Sequence, residues 1–296
     1  DERNSLVGSE MCIRDSLQTQ HQSAVSMISK SENEALKAEL LPEMADKRLV
    51  GIGFSQLRRP GTPILRAEET QGGYVLNGHV PWVTGHGFYG EFLIGATLPS
   101  GEALFGIVPF EDALTENGGS ILFEGPMRLA AMESPQTMTA DLTNWFMPQE
   151  RVVFIKPDGW IQTNDTINVT LQAWFALGCA RAGLDLVQRA AEKRGKRFLH
   201  DAWQALDAEL VDCRAAAEDQ GRPLEERLQA RAWAIDLAAR CAHAGVIASS
   251  GAANSLSHDA QRVYREALVY SVSAQTEAIM EASLNRLVSR GSQLRP

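Results

Sequence analysis

The chain has 296 residues, 44% of them apolar, enough for a sizeable core in one large or two to three smaller domains. Its 28 basic and 37 acidic side chains give a formal charge of −9 with no basic stripe, which argues against nucleic acid as a partner. Scattered cysteines (Cys12, Cys179, Cys213, Cys241), six histidines not set at metal-ligand spacing, no secretory signal and no apolar run of membrane-spanning length predict a cytoplasmic protein with reduced thiols, no metal and no membrane span.

Residues 1–16 are polar and lack periodicity, and we read them as a non-native or disordered leader that takes no part in the fold. Residues 17–48 read as helices and their connections. Ser31-Glu32-Asn33-Glu34 has the form of a capping box before Leu36, Leu40 and Leu41, and Leu41-Pro42 should end that helix.

Over residues 49–158 the pattern changes to short β-prone runs separated by Gly, Pro and Asn. The expected strands are Ile64 to Glu68, Gly73 to Leu76, Val80 to Val83, Phe92 to Leu98, Leu104 to Pro109, Ser120 to Phe123 and Met138 to Phe146. Together they imply an antiparallel barrel or sandwich. Asn77-Gly78 reads as a type I′ hairpin turn, because both residues tolerate positive φ. The strand leaving it should present Trp82 and Thr84 on one face, since side chains two apart on a strand project together. An indole plane beside a hydroxyl suits a planar cofactor with polar edges, and a core Trp beside a β-prone Thr gives the same pattern.

Residues 159–296 return to helical spacing. Leu171, Trp174, Phe175, Gly178 and Ala182 form one face; Trp203, Leu206, Leu210 and Cys213 a second; Leu237, Cys241, Ala244 and Ala248 a third. A fourth segment runs from Ala260 to about Arg286, and Gly221-Arg222-Pro223 separates the second helix from the third. The expected class is therefore α+β: a partial N-terminal helical segment, a middle antiparallel β domain and a C-terminal antiparallel four-helix bundle. The basic run Lys193-Arg194-Gly195-Lys196-Arg197 reads either as a solvated helix end or as a pyrophosphate contact.

Tyr74-x-Leu76-Asn77-Gly78-x-Val80-x-Trp82-Val83-Thr84 resembles the acyl-CoA dehydrogenase family segment "Tyr-x-Leu-Asn-Gly-x-Lys-x-Trp-Ile-Thr", with Val80 at the Lys position. Ala260, Arg262, Tyr264, Arg265, Ala267, Tyr270 and Thr276 match, without a gap, the family pattern "Ala-Glu-Arg-x-Tyr-Arg-Asp-Ala-x-x-Tyr-x-x-x-Glu-Gly-Thr". The resemblance runs from about Leu40 to about Leu287 and includes the exit Met147-Pro148-Gln149-Glu150-Arg151-Val152. It implies an N-terminally truncated, divergent flavoprotein that binds FAD through Ser55, Trp82, Thr84, Arg194 and Thr276, with Arg194 reaching the FAD of a neighbouring subunit. It also implies a homodimer or homotetramer, a small-molecule substrate such as an acyl thioester, and an electron acceptor the sequence does not identify.

The same register exposes departures. The family's catalytic Glu corresponds to Ala274, with Gln275 at the Gly position. The base that some members carry near the first bundle helix corresponds to Asn168, and neither residue can remove a proton. Ser55-Gln56-Leu57-Arg58-Arg59-Pro60 lacks the Gly-x-Gly of the flavin loop, and the expected Phe after Arg194 is displaced to Phe198. Ile247-Ala248-Ser249-Ser250-Gly251 loses the amide of the "Gln-x-x-Gly-Gly" stretch. Glu277, three residues on, is a substitute carboxylate or a solvated residue; His258 has no evident partner, and Asp259 suits a first helical turn. The leading expectation is an acyl-CoA dehydrogenase-like FAD oxidoreductase acting on CH-CH groups. The alternatives are a flavin-dependent monooxygenase of the same fold and a non-catalytic assembly paralogue.

Overall fold

The structure is a computed structural model that describes residues 17–45 and 47–292. The leader expected over residues 1–16 lies outside the described residues. The chain divides into two compact units at Asn164/Asp165.

Unit 1 begins with helices α1 (residues 17–29) and α2 (Glu34–Leu40). The cap of α2 is Asn33 rather than Ser31: Asn33 Oδ1 accepts from the Leu36 amide at 3.1 Å. Ser31 is turned away to donate to Val153 O, and the Asn33 amide side chain donates to Glu150 O and Val152 O at 3.0 Å each. The capping-box spacing is thus used to bind the α1–α2 turn to the last strand. His21 on α1 does similar work, with Nε2 2.8 Å from Met44 O and Nδ1 accepting from the Val50 amide at 3.1 Å. His21→Ala strands both backbone groups, and urea unfolding should show a loss of about 2 kcal/mol.

Nine strands follow: β1 (Val50–Gly53), β2 (Leu65–Thr70), β3 (Gly73–Thr84), β4 (Glu91–Thr97), β5 (Ala103–Pro109), β6 (Ala113–Leu114), β7 (Ser120–Glu124), β8 (Thr137–Pro148) and β9 (Val152–Lys156). Their order is β6-β7-β8-β3-β2-β4-β5-β9, with β1 parallel to β4. The sheet is not a closed barrel. An antiparallel half ending in β2 meets the β4 half through the single parallel pair Arg66↔Thr97, so the ladder is nearly interrupted there. The halves share one core: Leu65, Leu76 and Val80 from the first pack with Phe92, Ile94 and Val108 from the second. On the other face of β4 and β5, Leu93, Phe105 and Ile107 bury Ala24, Ile28, Leu36 and Leu40 of α1 and α2. Both faces of β4 and β5 are therefore covered, and their burial is continuous.

Asn77-Gly78 is not a hairpin turn. The β2–β3 turn falls at Gln71-Gly72, with Thr70 paired to Gly73 and Gly72 at φ +82°. Asn77 and Gly78 lie inside the long strand β3, opposite a bulge in β8 whose extra residue, Asn144, has φ +45°. Asn77 Oδ1 accepts the Asn144 amide at 2.7 Å. Gly78 is required because a Cβ there would stand 2.0 Å from Ile64 O. The positive-φ tolerance that signals a hairpin serves a bulge here.

Unit 2 contains α4 (Ala173–Arg194), α5 (Arg197–Glu218), α6 (Leu224–Ser249), α7 (Asp259–Tyr270) and α8 (Glu277–Ser292); α3 (Trp160–Ile167) runs across the division between the units. The C-terminal bundle is present, and its fourth helix is two helices. Residues 271–276 break it, with Ala274 at φ +45°. α6 is central, with Ala232, Ala234, Leu237, Ala238, Cys241 and Ala242 fully buried. Small residues bring α4 and α6 together: a Cβ on Gly183 would lie 2.5 Å from the Cys241 carbonyl. Cys179, Cys213 and Cys241 are buried, and burial pushes each thiol up to about 12, so they remain unreactive thiols at neutral pH. A charge network joins α5, α6 and α8: Asp236 pairs with Arg240 at 3.3 Å and Arg286 at 3.1 Å, and Glu209 accepts from Trp233 Nε1 at 2.7 Å.

Candidate functional site

A second bulge sets the orientation of Trp82 and Thr84. Between the pairs Val80↔Ala140 and Val83↔Met138, β3 carries one more residue than β8. Without it Val80, Trp82 and Thr84 would share a face. With it Val80 and Val83 both enter the core, and Trp82 and Thr84 leave from the opposite side. Trp82 is 43% exposed, and no ring stacks on it among the described residues. Thr84 is 3% exposed, and its hydroxyl lies 3.0 Å from that of Thr137, its partner across the ladder.

Ser55, also in unit 1, is exposed at the start of a 3-10 turn over Ser55–Arg58. Gln56 fastens that turn to the sheet by donating to Gly53 O at 3.1 Å and Gly95 O at 2.8 Å.

In unit 2 the remaining expected residues are far apart. Arg194 is exposed at the end of α4, where Gly195 takes the left-handed cap at φ +60°. Thr276 caps α8, its Oγ1 accepting from the Ile279 amide at 3.3 Å. The α4 end packs near Ala248, and the α8 start packs near Leu228 and Ala232. At about 1.5 Å rise per residue of α6, that is a separation of roughly 25 Å. One copy of the chain does not bring Arg194 and Thr276 together.

Beside Arg194, a concavity of about 480 Å³ is lined by Glu192, Gly195, Lys196, Arg197, His200 and Trp203. His200 stacks on Trp203 at 5.8 Å, and the buried Trp203 Nε1 has no hydrogen-bond partner. Phe198 is exposed on the first turn of α5.

Asn168 and Ala274 belong to neighbouring segments. Arg231, 2% exposed on α6, donates to Val169 O at 3.0 Å and to Ser273 O at 2.6 Å, so one guanidinium ties the two segments together. Burial lowers Arg231 to about 10, which leaves it protonated at neutral pH. No carboxylate stands at either position. Glu277 is not one helical turn beyond Ala274, because the helix is broken between them; it is an exposed first-turn residue of α8. His258 has a partner after all, since Nδ1 caps α7 by accepting from the Ala260 amide at 3.1 Å. Asp259 pairs loosely with Arg189 at 3.7 Å.

Sequence reasoning missed Thr137 and Arg231. Thr137 carries no signal beyond strand propensity. Arg231 carries none either, because the same helix holds Glu225, Glu226, Arg227, Asp236 and Arg240, and the sequence does not say which of these charges is turned inward.

This architecture is the acyl-CoA dehydrogenase fold. An acyl-CoA dehydrogenase from Geobacillus kaustophilus superposes with a TM-score of 0.72 at 15% identity, over 88% of this chain and 75% of that one. FkbI, described as serving biosynthesis of the methoxymalonyl extender unit of an FK520 polyketide immunosuppressant, gives 0.74 at 18% identity, over 97% and 83%. A glutaryl-CoA dehydrogenase from Mycobacterium smegmatis in complex with FADH2 gives 0.71 at 17% identity, over 90% and 72%. No protein-family model matches the chain, and no curated protein does. No helix among the described residues is long and apolar enough to cross a membrane.

Proposed function

We propose that this chain is an FAD-binding oxidoreductase of the acyl-CoA dehydrogenase type, taking a small substrate such as an acyl thioester. The observation that carries the reading is the exposed, unstacked Trp82 beside the buried Thr84–Thr137 hydroxyl pair. Two hydroxyls bring two protons and share one hydrogen bond, so one buried donor is left for an acceptor from outside the chain. A flat ring with acceptor atoms at its edge satisfies both groups at once. Bound FAD would supply hydride-accepting chemistry; the chain's own residues bind and orient it.

Trp82 would cover one ring face, and the hydroxyl pair would meet a ring acceptor. Ser55 offers a further hydroxyl on unit 1, and Thr276 offers one on unit 2. Arg194, with the Lys196, Arg197 and Trp203 Nε1 donors beside it, suits a pyrophosphate. Its distance from Thr276 supports a homo-oligomer in which Arg194 serves a second copy's cofactor.

The absence of a carboxylate at both Asn168 and Ala274 favours a second reading, a flavin-dependent monooxygenase, because oxygen activation needs no α-proton base. The test is FAD titration of the purified chain, followed by acyl-CoA addition without oxygen. We expect bound flavin absorbance, and about tenfold weaker binding for Trp82→Ala, equivalent to about 1.4 kcal/mol. Anaerobic bleaching by an acyl-CoA supports dehydrogenation; no bleaching, with an oxygenated product formed only when the flavin is first reduced by an added reductant and then exposed to oxygen, supports the monooxygenase. A chain that takes up no FAD overturns both and leaves a non-catalytic assembly role.

A further inference from the structure

We propose that Thr137 is a positioning residue that directs the Thr84 hydroxyl toward the cofactor; this rests on the flavin reading. Thr84 and Thr137 are the last register pair of the β3–β8 ladder, with Oγ1 atoms 3.0 Å apart and exposures of 3% and 2%. Neither hydroxyl has another partner among the described residues. Two proton arrangements are open to them: Thr84 donates to Thr137, or Thr137 donates to Thr84.

Only the second leaves the Thr84 proton unspent, and it also strengthens it, because a hydroxyl that accepts a hydrogen bond becomes a better donor. An acceptor placed against Thr84 therefore selects that arrangement. Removing the Thr137 hydroxyl leaves Thr84 with its own proton, but free to rotate and unpolarised.

The backbone around the pair is fixed. Gly85 donates to Pro135 O at 2.7 Å and His86 to Gln136 O at 3.2 Å, which ties the end of β3 to the residues just before β8. Gln136 sits at φ +51°, a conformation that is uncommon for a residue with a side chain and that turns the chain into β8 at Thr137. This local strain holds one hydroxyl against the other.

The experiment compares FAD binding, the visible flavin spectrum and the flavin midpoint potential in the wild-type chain, Thr137→Val, Thr137→Ser, Thr84→Val and the double valine variant. We expect Thr137→Val to weaken FAD about threefold to tenfold, the range of one hydrogen bond. It should also alter the flavin spectrum and move the potential to a more negative value, with Thr137→Ser restoring all three. The double variant should match Thr84→Val alone, since Thr137 acts only through Thr84. Thr137→Ala replaces the valine variant if the latter does not fold. Wild-type chain that binds no FAD overturns the flavin reading and this proposal with it. Wild-type binding with an unchanged spectrum and potential in Thr137→Val, or equal losses in the serine and valine variants, overturns this proposal alone.

Discussion

Replacing Gly183 by alanine should destabilise unit 2 by about 3 kcal/mol, although alanine is the better helix former by about 1 kcal/mol. The added methyl would stand 2.5 Å from the backbone C and O of Cys241 and 2.7 Å from the Ala242 amide nitrogen. These are backbone atoms of α6, so nothing short of separating α4 from α6 makes room. Gly178, on the same helix, supplies the control. A Cβ there meets nothing within 4 Å, and Gly178→Ala should stabilise by up to about 1 kcal/mol. Urea unfolding of the two variants should move in opposite directions. A neutral Gly183→Ala would show that the two helices are not packed as closely as described.

Arg231→Met should cost about 2–3 kcal/mol, a net of opposing effects. Removing a buried charge is favourable in itself. Against that, Val169 O and Ser273 O lose their donor, at about 1–3 kcal/mol for each buried group left unpaired. We expect the loss to win, because methionine donates nothing to either carbonyl. Arg231→Lys should recover only part of it, since an ammonium is a compact charge and not a planar fork spanning two acceptors. Urea unfolding gives the magnitude. Amide exchange should localise the change to residues 168–171 and 271–276, and protection unchanged there would argue against the clamp.

The same clamp explains a limit on what the sequence discloses. Val272-Ser273-Ala274-Gln275 contains neither glycine nor proline, so a single helix from Ala260 to about Arg286 is the natural reading. Ser273 O is instead taken by a guanidinium from α6, and Thr276 restarts the helix as its cap. A contact distant in sequence breaks the helix where local propensity does not. Strand β1 was missed for a related reason. Its Val-Gly-Ile-Gly sequence weakens any strand signal, yet the glycines are needed because a Cβ would meet Tyr89 at Gly51 and Phe92 at Gly53. Helix periodicity and most strands were legible because the apolar spacing that marks them is also what buries them.

At the candidate site the balance is similar. The two-residue spacing of Trp82 and Thr84 gives their shared side, as strand geometry requires. Which side that is depends on one extra residue between Val80 and Val83, and a bulge of this kind leaves no compositional trace. The hydroxyl of Thr137 becomes visible only once β8 is in register with β3.

α6 is enclosed by α4, α5, α7 and α8, and its middle turns are buried among them. Deuterium should therefore reach the amides from Ala232 to Ala242 only when the whole helical unit comes apart, so their uptake rate reports its global unfolding free energy directly. A ligand that grips this unit should lower the logarithm of the uptake rate there in proportion to the stabilisation it adds, even when it touches none of those residues.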